Sequence, residues 1–482
     1  MQEVSHMAAT DRPADGANEG PTGAAFAHGI LPDEVIKDPT SEAALIFVTL
    51  APSLDRAGVI AWLHAATGLM ATLEAQVDGL RLATALPAFG PSFFTLAGAA
   101  RFDLQGRAPH EFADLPSVPA ARSVVGADLV FYVLARSHAQ LADFILGLWA
   151  TRGAGLATLT IEEGFQRGDG RELFGFRDGL RNIPGPDRPR IVFVSPDAAD
   201  EPDSSEGGSY MAYLKLPQDV DAWSRLTPDE QERRLGRRRA DGSRVDLTAG
   251  TDPHSEGDYA AADVPAAAAH IRKVRPQGGL TSQVFRRGVP FVQAEGGVVT
   301  AGLQFVSFQG SLDDFETMLQ RWMLAKDFKT AGAGVDLLFA DGLVTVEKVG
   351  FFFAPPADPR FLGARFFDAP QPRRGKGRIF VRKKLIDANG AKVDGQLDGA
   401  VFQALRKDTG ALLGPTFTTE SSGHALSPEV PIGVPLLVRE VQPLAGATAA
   451  PDAEITLDAP RGVVEIRNVI PAPNPPPSPY HG

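Results

Sequence analysis

The sequence contains no cysteine among its 482 residues. This absence excludes disulfide bonds, zinc–thiolate sites, iron–sulfur clusters and thiolate-ligated haem together. It does not decide the cellular compartment, because a protein of the reducing cytosol and an extracellular adhesin can both lack cysteine. The chain also has no run of eighteen apolar residues, and we therefore expect no membrane-spanning helix.

Basic residues are fewer than acidic ones, 47 against 59, which gives a formal net charge of -12 at pH 7. This charge repels nucleic acid and anionic membranes at long range, so neither is expected as a partner. Residues 1–40 have no basic or apolar segment of a signal peptide and no paired arginines. We interpret them as a disordered leader and expect a cytoplasmic protein, with export by a non-classical route as the alternative.

The chain is too long for one ordinary domain, and its hydrophobic periodicity indicates a duplication within residues 41–366. Apolar strand-like runs alternate with segments in which apolar residues have helical spacing. The predicted strands, each with the helix that follows it, are residues 42–50 and 54–76, 127–134 and 139–149, 210–216 and 220–235, and 302–308 and 312–324. This pattern predicts an α+β fold of two ferredoxin-like units, in which helices cover antiparallel sheets. Thr227-Pro-Asp-Glu230 has the spacing of a helix capping box.

A second, smaller domain is predicted where this pattern ends. Residues 367–377 combine proline, glycine and charge, and we interpret them as a linker. Short alternating strands separated by turns follow, which is typical of a small all-β sandwich over residues 378–471. Residues 472–482 form a proline-rich tail.

Four short segments hold the side chains on which a functional prediction depends. They are Leu173-Phe-Gly-Phe-Arg-Asp178-Gly179, Val264-Pro-Ala-Ala-Ala-Ala-His270, Val284-Phe-Arg286-Arg287-Gly288 and Gly302-Leu-Gln-Phe-Val-Ser-Phe-Gln309. Taken singly each is weak, because Asp178 between glycines is typical of a turn, a lone His270 of a structural histidine and Arg286 of a surface cation. Their order along one chain is more specific.

In this order the segments resemble the dye-decolorizing peroxidase family of haem proteins, over roughly residues 44–356. The resemblance implies that haem b is held between the two ferredoxin-like halves, with His270 as the axial ligand of the iron. It also implies that Asp178 is the acid–base group and that Arg286 stabilises developing negative charge, with Arg287 as the competing candidate. Hydrogen peroxide would be one substrate, and a dye, a phenol or another aromatic electron donor the second.

Further residues complete the implied site. Leu303 and Phe305 alternate on one face of their predicted strand and are expected as apolar walls over the iron. A histidine that ligates a metal usually donates its second N–H to an acceptor, for which the family uses a carboxylate. Asp336 is the candidate, and Asp327 and Asp341 are alternatives because they lie near it in sequence. Cations expected either to pair with the haem propionates or to be exposed at the surface are Arg272, Lys273 and Arg275.

The smaller domain resembles the prealbumin-like repeat of Gram-positive surface adhesins and pilins. The matching motifs are Ile379-x-Val381-x-Lys383, Gly399-Ala-Val-Phe402, Leu437-Val-Arg-Glu440-Val-Gln-Pro443 and Val464-x-Ile466-x-Asn468-x-Ile470-Pro471. The resemblance implies an intramolecular isopeptide bond, with Lys383 as nucleophile, Asn468 as electrophile and Glu440 as proton shuttle. An apolar interior favours this chemistry because burial lowers the pKa of a lysine and raises that of a carboxylic acid. Alternatively, the three residues only occupy strand faces.

The sequence therefore predicts a haem peroxidase with a C-terminal binding or tethering domain. One alternative is a haem-binding or haem-carrying module, and another is a structural tethering protein with little peroxidase activity. Peroxide-driven oxidation separates the first two functions, and haem binding separates both from the third. The expected partners are hydrogen peroxide, an aromatic reductant, a protein or surface ligand of the C-terminal domain and a second copy of the chain.

Overall fold

The computed structural model describes most of the chain between residues 27 and 470. The described residues are 27–31, 41–77, 80–81, 83–96, 99–102, 104, 108–112, 123–181, 183, 185–195, 201–253, 265–275, 282–328, 330–368, 376–391, 393, 395–459 and 461–470. The predicted linker is described only at 367–368 and 376–377, and the predicted proline-rich tail lies outside the described residues.

The helices of the described residues differ strongly in length. They are α1 Arg56–Leu73, α2 Pro91–Phe94, α3 His138–Ala150, α4 Arg188–Val192, α5 Val220–Ser224, α6 Pro228–Leu235, α7 His270–Lys273, α8 Leu312–Glu316 and α9 Leu337–Ala340. A π-helical segment, Thr317–Met323, continues α8, and single 3-10 turns lie at Thr151–Ala154, Gly185–Asp187, Asp203–Ser205 and Ala364–Phe367. Within the part of the chain that the structure describes, none of these helices is both long enough and apolar enough to cross a bilayer.

The largest sheet has ten strands. They are β1 Glu42–Leu50, β2 Ala83–Phe89, β3 Ser123–Val124, β4 Leu129–Ala135, β5 Leu156–Phe165, β6 Ser209–Pro217, β7 Phe285–Arg286, β8 Val289–Glu295, β9 Val298–Gln309 and β10 Lys348–Ala354. Two further hairpins, Gln76–Val77 with Leu80–Arg81 and Thr95–Leu96 with Ala99–Ala100, lie outside it.

The order of the strands confirms the predicted ferredoxin-like fold. In the first half the chain runs β1, α1, β2, β4, α3, β5, and the strands lie side by side in the order β2-β4-β1-β5, all antiparallel. The second half repeats this arrangement, with β9 and β10 on either side of β6 and with β7 and β8 paired to β9. Each half is therefore one βαββαβ unit.

The sheet curves until its two ends meet. Within the sheet, the two halves join where β10 pairs with β2 through Phe353 and Phe89. The ends of the sheet meet where β5 lies so close to β8 that a Cβ on Gly164 would come within 2.6 Å of the Val289 side chain. Both faces of the strands are consequently buried, which explains why β1 and β4 are continuous apolar runs without polar alternation.

Two apolar cores result from this curvature. The inner core, enclosed by the curved sheet, contains Phe47, Tyr132, Tyr213 and Phe308. The outer core lies between the sheet and the helices that cover it, and it includes residues such as Trp62 of α1. Side chains of one strand alternate between these cores, so Leu45 and Phe47 face inward while Ile46 and Val48 face the helices.

Two predicted helices differ from their sequence patterns. The single helix predicted over 220–235 is divided into α5 and α6, because Pro228 disfavours a helical conformation of the preceding residue and starts a new helix. The capping box predicted at Thr227 and Glu230 is present. The helix predicted over 312–324 changes from α to π geometry after Glu316.

Part of the predicted leader is folded onto the domain. Ala27 forms a bridge with Pro356, and the side chains of Ala27 and Ile30 are buried. The prediction of disorder is therefore wrong for residues 27–31. The sequence did not indicate this, because the residues around this short segment are mostly small or polar. Residues 1–26 and 32–40 lie outside the described residues.

The C-terminal region forms two sheets around a separate apolar core. One contains β11 Lys376–Ile386, β14 His424–Leu426, β15 Val430–Pro431 and β18 Arg461–Val469, and the other contains β12 Val401–Arg406, β13 Phe417–Thr418, β16 Pro435–Gln442 and β17 Ala453–Thr456. β11 and β18, near the two ends of this region, are parallel neighbours. Val381, Phe402, Val438 and Ile466 are among the residues of the core.

A buried ionic cluster joins the two halves of the large sheet. Glu162 of β5 contacts Lys348 of β10, and it lies 3.0 Å from the ammonium of Lys215 of β6. The side chains of Glu162 and Lys215 are only 4% and 5% exposed. Burial alone would raise the pKa of Glu162, but the hydrogen bonds from Lys348 and Lys215 outweigh burial and lower it. Such a carboxylate stabilises the fold above its unfolded-state pKa, and this contribution is lost as pH falls through the folded-state pKa.

Replacing Glu162 with glutamine should therefore destabilise the protein at neutral pH, by about 3 kcal/mol, because it removes the carboxylate that Lys215 and Lys348 share and leaves Glu347 as the acidic partner of the buried Lys215. The difference from wild type should narrow as the pH falls to about 4 and below, where the wild-type carboxylate also becomes protonated. Urea unfolding at a series of pH values measures both effects. Glu163→Gln, at the exposed neighbouring position, is the control, and an E162Q deficit that stays constant with pH would contradict the assignment.

Candidate active site

A cavity of about 300 Å³ opens on the outer face of the second half. Its sheet wall consists of Leu214, Leu216, Leu303 and Phe305, and its opposite wall includes Phe315, Met318, Leu319 and Met323. The segment of residues 172–183 forms one side and α7 another. An apolar cavity with a few polar groups at its edge is the usual form of a cofactor site.

His270 lies at the start of α7 and lines this cavity. Its Nδ1 is 2.8 Å from Oδ2 of Asp336, whose side chain is fully buried. A carboxylate accepts, so Nδ1 carries the hydrogen and Nε2 keeps its lone pair for a ligand. The imidazole is thereby held in one tautomer and one orientation.

Asp336 is itself fixed by the start of α9. Its Oδ1 accepts a hydrogen bond of 3.0 Å from the backbone N–H of Leu338, and its own N–H donates to the carbonyl of Met323. The alternative candidates have other contacts, since Asp341 pairs with Arg234 and Asp327 accepts from the N–H of Gly332. Of the three aspartates, Asp336 is the one beside the histidine.

Asp178 lies in a tight loop on the side of the cavity. Its N–H donates to the carbonyl of Gly170, and its Oδ1 accepts a 2.6 Å hydrogen bond from the N–H of Gly179. Gly175 and Gly179 have φ values of 85° and 74°, which favour glycine over any residue with a Cβ. The carboxylate is exposed and lines the cavity.

Glu172 also lines the cavity, and the sequence patterns did not single it out. Its carboxylate accepts hydrogen bonds of 2.7 Å and 3.0 Å from the N–H groups of Phe174 and Phe176, and a third from the amide of Gln218. Burial, reinforced by repulsion from the carboxylate of Asp178, raises the pKa of Glu172 despite these bonds. Glu172 therefore holds the backbone of the loop that carries Asp178. The only sequence signal is a carboxylate immediately before an apolar run.

The alternation of strand residues separates the two adjacent arginines. Arg286 of β7 pairs with Ser307 of β9 and lines the cavity, together with Leu303 and Phe305. Arg287 points to the opposite side of the strand and does not line it. Geometry thus brings Arg286, and not Arg287, to the same cavity as His270.

The three cations that follow His270, which are Arg272, Lys273 and Arg275, make different contacts. Lys273 donates to the carbonyls of Ala325, at 2.8 Å, and Phe328, at 3.3 Å, and burial lowers its pKa. Arg272 is buried and donates to the carbonyl of Pro265. Both side chains are buried and neither lines the cavity, so the alternative of surface exposure is wrong for them, and contact with the propionates stays a prediction. Arg275 lines the cavity.

These features fit an iron porphyrin. The donor set is one imidazole whose second nitrogen is bound to a buried carboxylate, which is the usual second contact of a histidine ligand. The walls are apolar, as a porphyrin ring requires, and Arg275 with Arg177 and Arg181 supplies positive charge at the lining for its carboxylates.

The C-terminal region contains a second group of polar side chains, buried in its own core. Lys383 Nζ contacts Oε1 of Glu440, and Nδ2 of Asn468 donates to Oε2 of the same carboxylate over 2.6 Å. Lys383, Glu440 and Asn468 are 3%, 7% and 0% exposed. Burial lowers the pKa of Lys383, although Glu440 opposes this effect. One carboxylate thus bridges an amine and a primary amide.

The family model that matches this chain covers the residues that line the cavity and does not extend into the C-terminal region. Residues 169–359 match the family model described as Dyp-type peroxidase, C-terminal. The dye-decolorizing peroxidase of Rhodococcus erythropolis is 26% identical over 348 residues, which cover 69% of this chain and 92% of that protein.

Solved structures show the same fold. A DyP-type peroxidase of Streptomyces coelicolor is 23% identical with a TM-score of 0.58, over 72% of this chain and 98% of that one. DtpA of Streptomyces lividans, solved as an oxyferrous/water mixed complex, is 22% identical with the same TM-score and the same coverage of both chains.

Proposed function

We propose that His270 ligates the haem iron of this peroxidase and that Asp178 and Arg286 act on hydrogen peroxide, in line with the similarity of the chain to DyP-type peroxidases. The observation that carries the proposal is the 2.8 Å contact between His270 and the buried Asp336, at the wall of a cavity that Asp178 and Arg286 also line. Bound haem supplies the iron and conjugated ring that deliver two electrons to peroxide.

His270 and Asp336 act as a unit on the ligand side. Asp336 accepts the N–H of the imidazole and so increases the basicity of the opposite nitrogen. It can do so because two backbone contacts hold it in place, with Leu338 and Met323. The buried carboxylate also prevents the ring from rotating away from the cavity.

Asp178 and Arg286 have complementary tasks. A carboxylate can take the proton from one oxygen of hydrogen peroxide and return it to the other, which leaves as water. The fixed guanidinium of Arg286 stabilises the negative charge that develops as the O–O bond breaks. Leu303 and Phe305 limit water around this charge, which strengthens its interaction with the cation.

The second substrate is proposed to be an aromatic electron donor, such as a dye or a phenol. The names of the curated relatives support this class of reductant. With haem in this cavity, a dye is expected to bind outside it, and electrons would pass from the dye through the protein to the haem.

His270→Ala should abolish iron ligation, since no thiolate is present in the sequence and no other described histidine lines the cavity. The measurement is the haem content and Soret spectrum of the purified protein. His138→Ala is a matched control, because that imidazole is 67% exposed on the first half of the fold. Unchanged haem content and spectrum in H270A would show that another group ligates the iron.

Arg286→Leu should slow the reaction with peroxide by about a hundredfold while haem remains bound, as loss of a fixed charge donor does in other enzymes. Asp178→Asn should slow the same step because an amide cannot accept the proton. Stopped-flow absorbance after mixing with peroxide measures both rates. Arg190→Met, at a side chain that is 74% exposed, is the control, and wild-type rates in both active-site variants would refute the assigned roles.

We further propose that the C-terminal region is a prealbumin-like sandwich that serves binding or tethering, with an isopeptide bond between Lys383 and Asn468. Nζ of Lys383 would attack the side-chain carbonyl carbon of Asn468, the bond to Nδ2 would break, and ammonia would leave. The contacts of Glu440 with both nitrogens support its role in moving the proton from the amine to the leaving group. The bond would close β11 and β18 into one covalent loop and restrict the unfolded chain, as a disulfide does.

Mass spectrometry of the full chain should then show the loss of one ammonia, with a cross-linked peptide that contains Lys383 and Asn468. Lys383→Ala, Asn468→Ala and Glu440→Ala should each restore the unmodified mass. Lys384→Ala is the matched control, because the neighbouring lysine is 47% exposed and pairs with Glu465. An unmodified wild-type mass would return the three residues to packing roles and leave the peroxidase assignment untouched.

A further inference from the structure

We infer that residues 27–31 and Arg287 are positioning residues for Arg286, so that a segment before the first strand takes part in the peroxide reaction. This inference rests on the proposed role of Arg286. Residues 27–31 lie outside the region that matches the family model, which begins at residue 169.

Arg287 carries the first part of the argument. Its Nη1 donates to the carbonyls of Gly29, at 2.7 Å, and Ile30, at 2.8 Å. Desolvation of an arginine is costly unless its donors are satisfied, and an apolar side chain of similar size would avoid that cost. What Arg287 supplies at this position, and an apolar side chain would not, is a pair of directional hydrogen bonds to the N-terminal segment.

The backbone of Arg287 is held as firmly as its side chain. Its N–H donates to the carbonyl of Val306 at 2.8 Å, and its carbonyl accepts a 2.6 Å hydrogen bond from the hydroxyl of Tyr132. Three parts of the chain thus meet at this residue: the N-terminal segment, β4 and β9. Because Arg286 is the preceding residue, at the end of β7, these contacts fix the direction from which its guanidinium enters the cavity.

The N-terminal segment is itself anchored. The N–H of Ala27 donates to the carbonyl of Gly207, and Nε2 of His28 lies 2.7 Å from a carboxylate oxygen of Glu74. Gly29 has a φ of 72°, and a Cβ there would lie 2.8 Å from the Thr84 side chain. This left-handed turn, available to glycine, lets the carbonyls of Gly29 and Ile30 converge on one nitrogen.

The test measures how well ferric haem binds fluoride, an anion whose affinity depends on the cation beside it. Arg287→Met should weaken fluoride binding and slow the peroxide reaction by about tenfold each, as small misplacement of an active-site group does. Haem content and the position of the Soret band should stay unchanged. Arg287→Lys, which keeps a donor for the two carbonyls, should recover much of the loss, and Arg190→Met should have no effect.

A double-mutant cycle separates positioning from general stabilisation. If Arg287 acts through Arg286, then R287M should cause no further loss of fluoride affinity in an R286L background. An additive loss would overturn the inference, and so would wild-type fluoride affinity in R287M alone. If R286L itself changes neither fluoride affinity nor peroxide rate, the proposed function of Arg286 fails instead.

The haem-free protein offers a readout independent of activity. Hydrogen exchange of a peptide covering residues 282–290 should be faster in R287M than in wild type, while a peptide from α1 should be unchanged. Removal of residues 1–31 from the chain should reproduce the effects of R287M on exchange and on fluoride affinity, even if R287M itself folds poorly. Wild-type behaviour after that removal would show that the segment does not position Arg286.

Discussion

The closure of the large sheet on itself is the constraint from which the rest of the structure follows. Once β10 meets β2 and β5 meets β8, the strands have an enclosed inner face and an outer face that helices must cover. In the first half the long helices α1 and α3 fill this outer face. In the second half the covering helices are short, and the cavity lies under them. The long helices therefore fill the outer face of the first half, and the short helices leave room for the cavity in the second half.

Three carboxylates around the cavity have different environments and hence different roles. Asp336 is fully buried and bound to an imidazole and a helix N-terminus, which suits a residue that orients a ligand. Glu172 is bound to backbone N–H groups of a loop, and it gives that loop its shape. Asp178 is exposed to the cavity and is the one placed to exchange protons with a substrate. Environment rather than residue type assigns these tasks.

The C-terminal core uses a related principle for a separate purpose. Lys383, Glu440 and Asn468 are polar groups buried where an isolated charge would be costly, and the carboxylate of Glu440 contacts both of the other side chains. The described residues that line the cavity all lie between Glu172 and Val344, before the two C-terminal sheets begin. Substitutions in the cluster of Lys383, Glu440 and Asn468 should therefore leave the contact between His270 and Asp336 unchanged.

Local patterns in the sequence determined the strands of the first half, the capping box at Thr227 and the alternation that places Leu303 and Phe305 on one face. These features depend on neighbours within a few residues, and the order of the motifs was enough to suggest the family. The tertiary structure alone decided which aspartate meets His270, that Lys273 is buried, and that residues 27–31 pack against Arg287. Such choices depend on contacts between distant segments, for which hydrophobic periodicity contains no information.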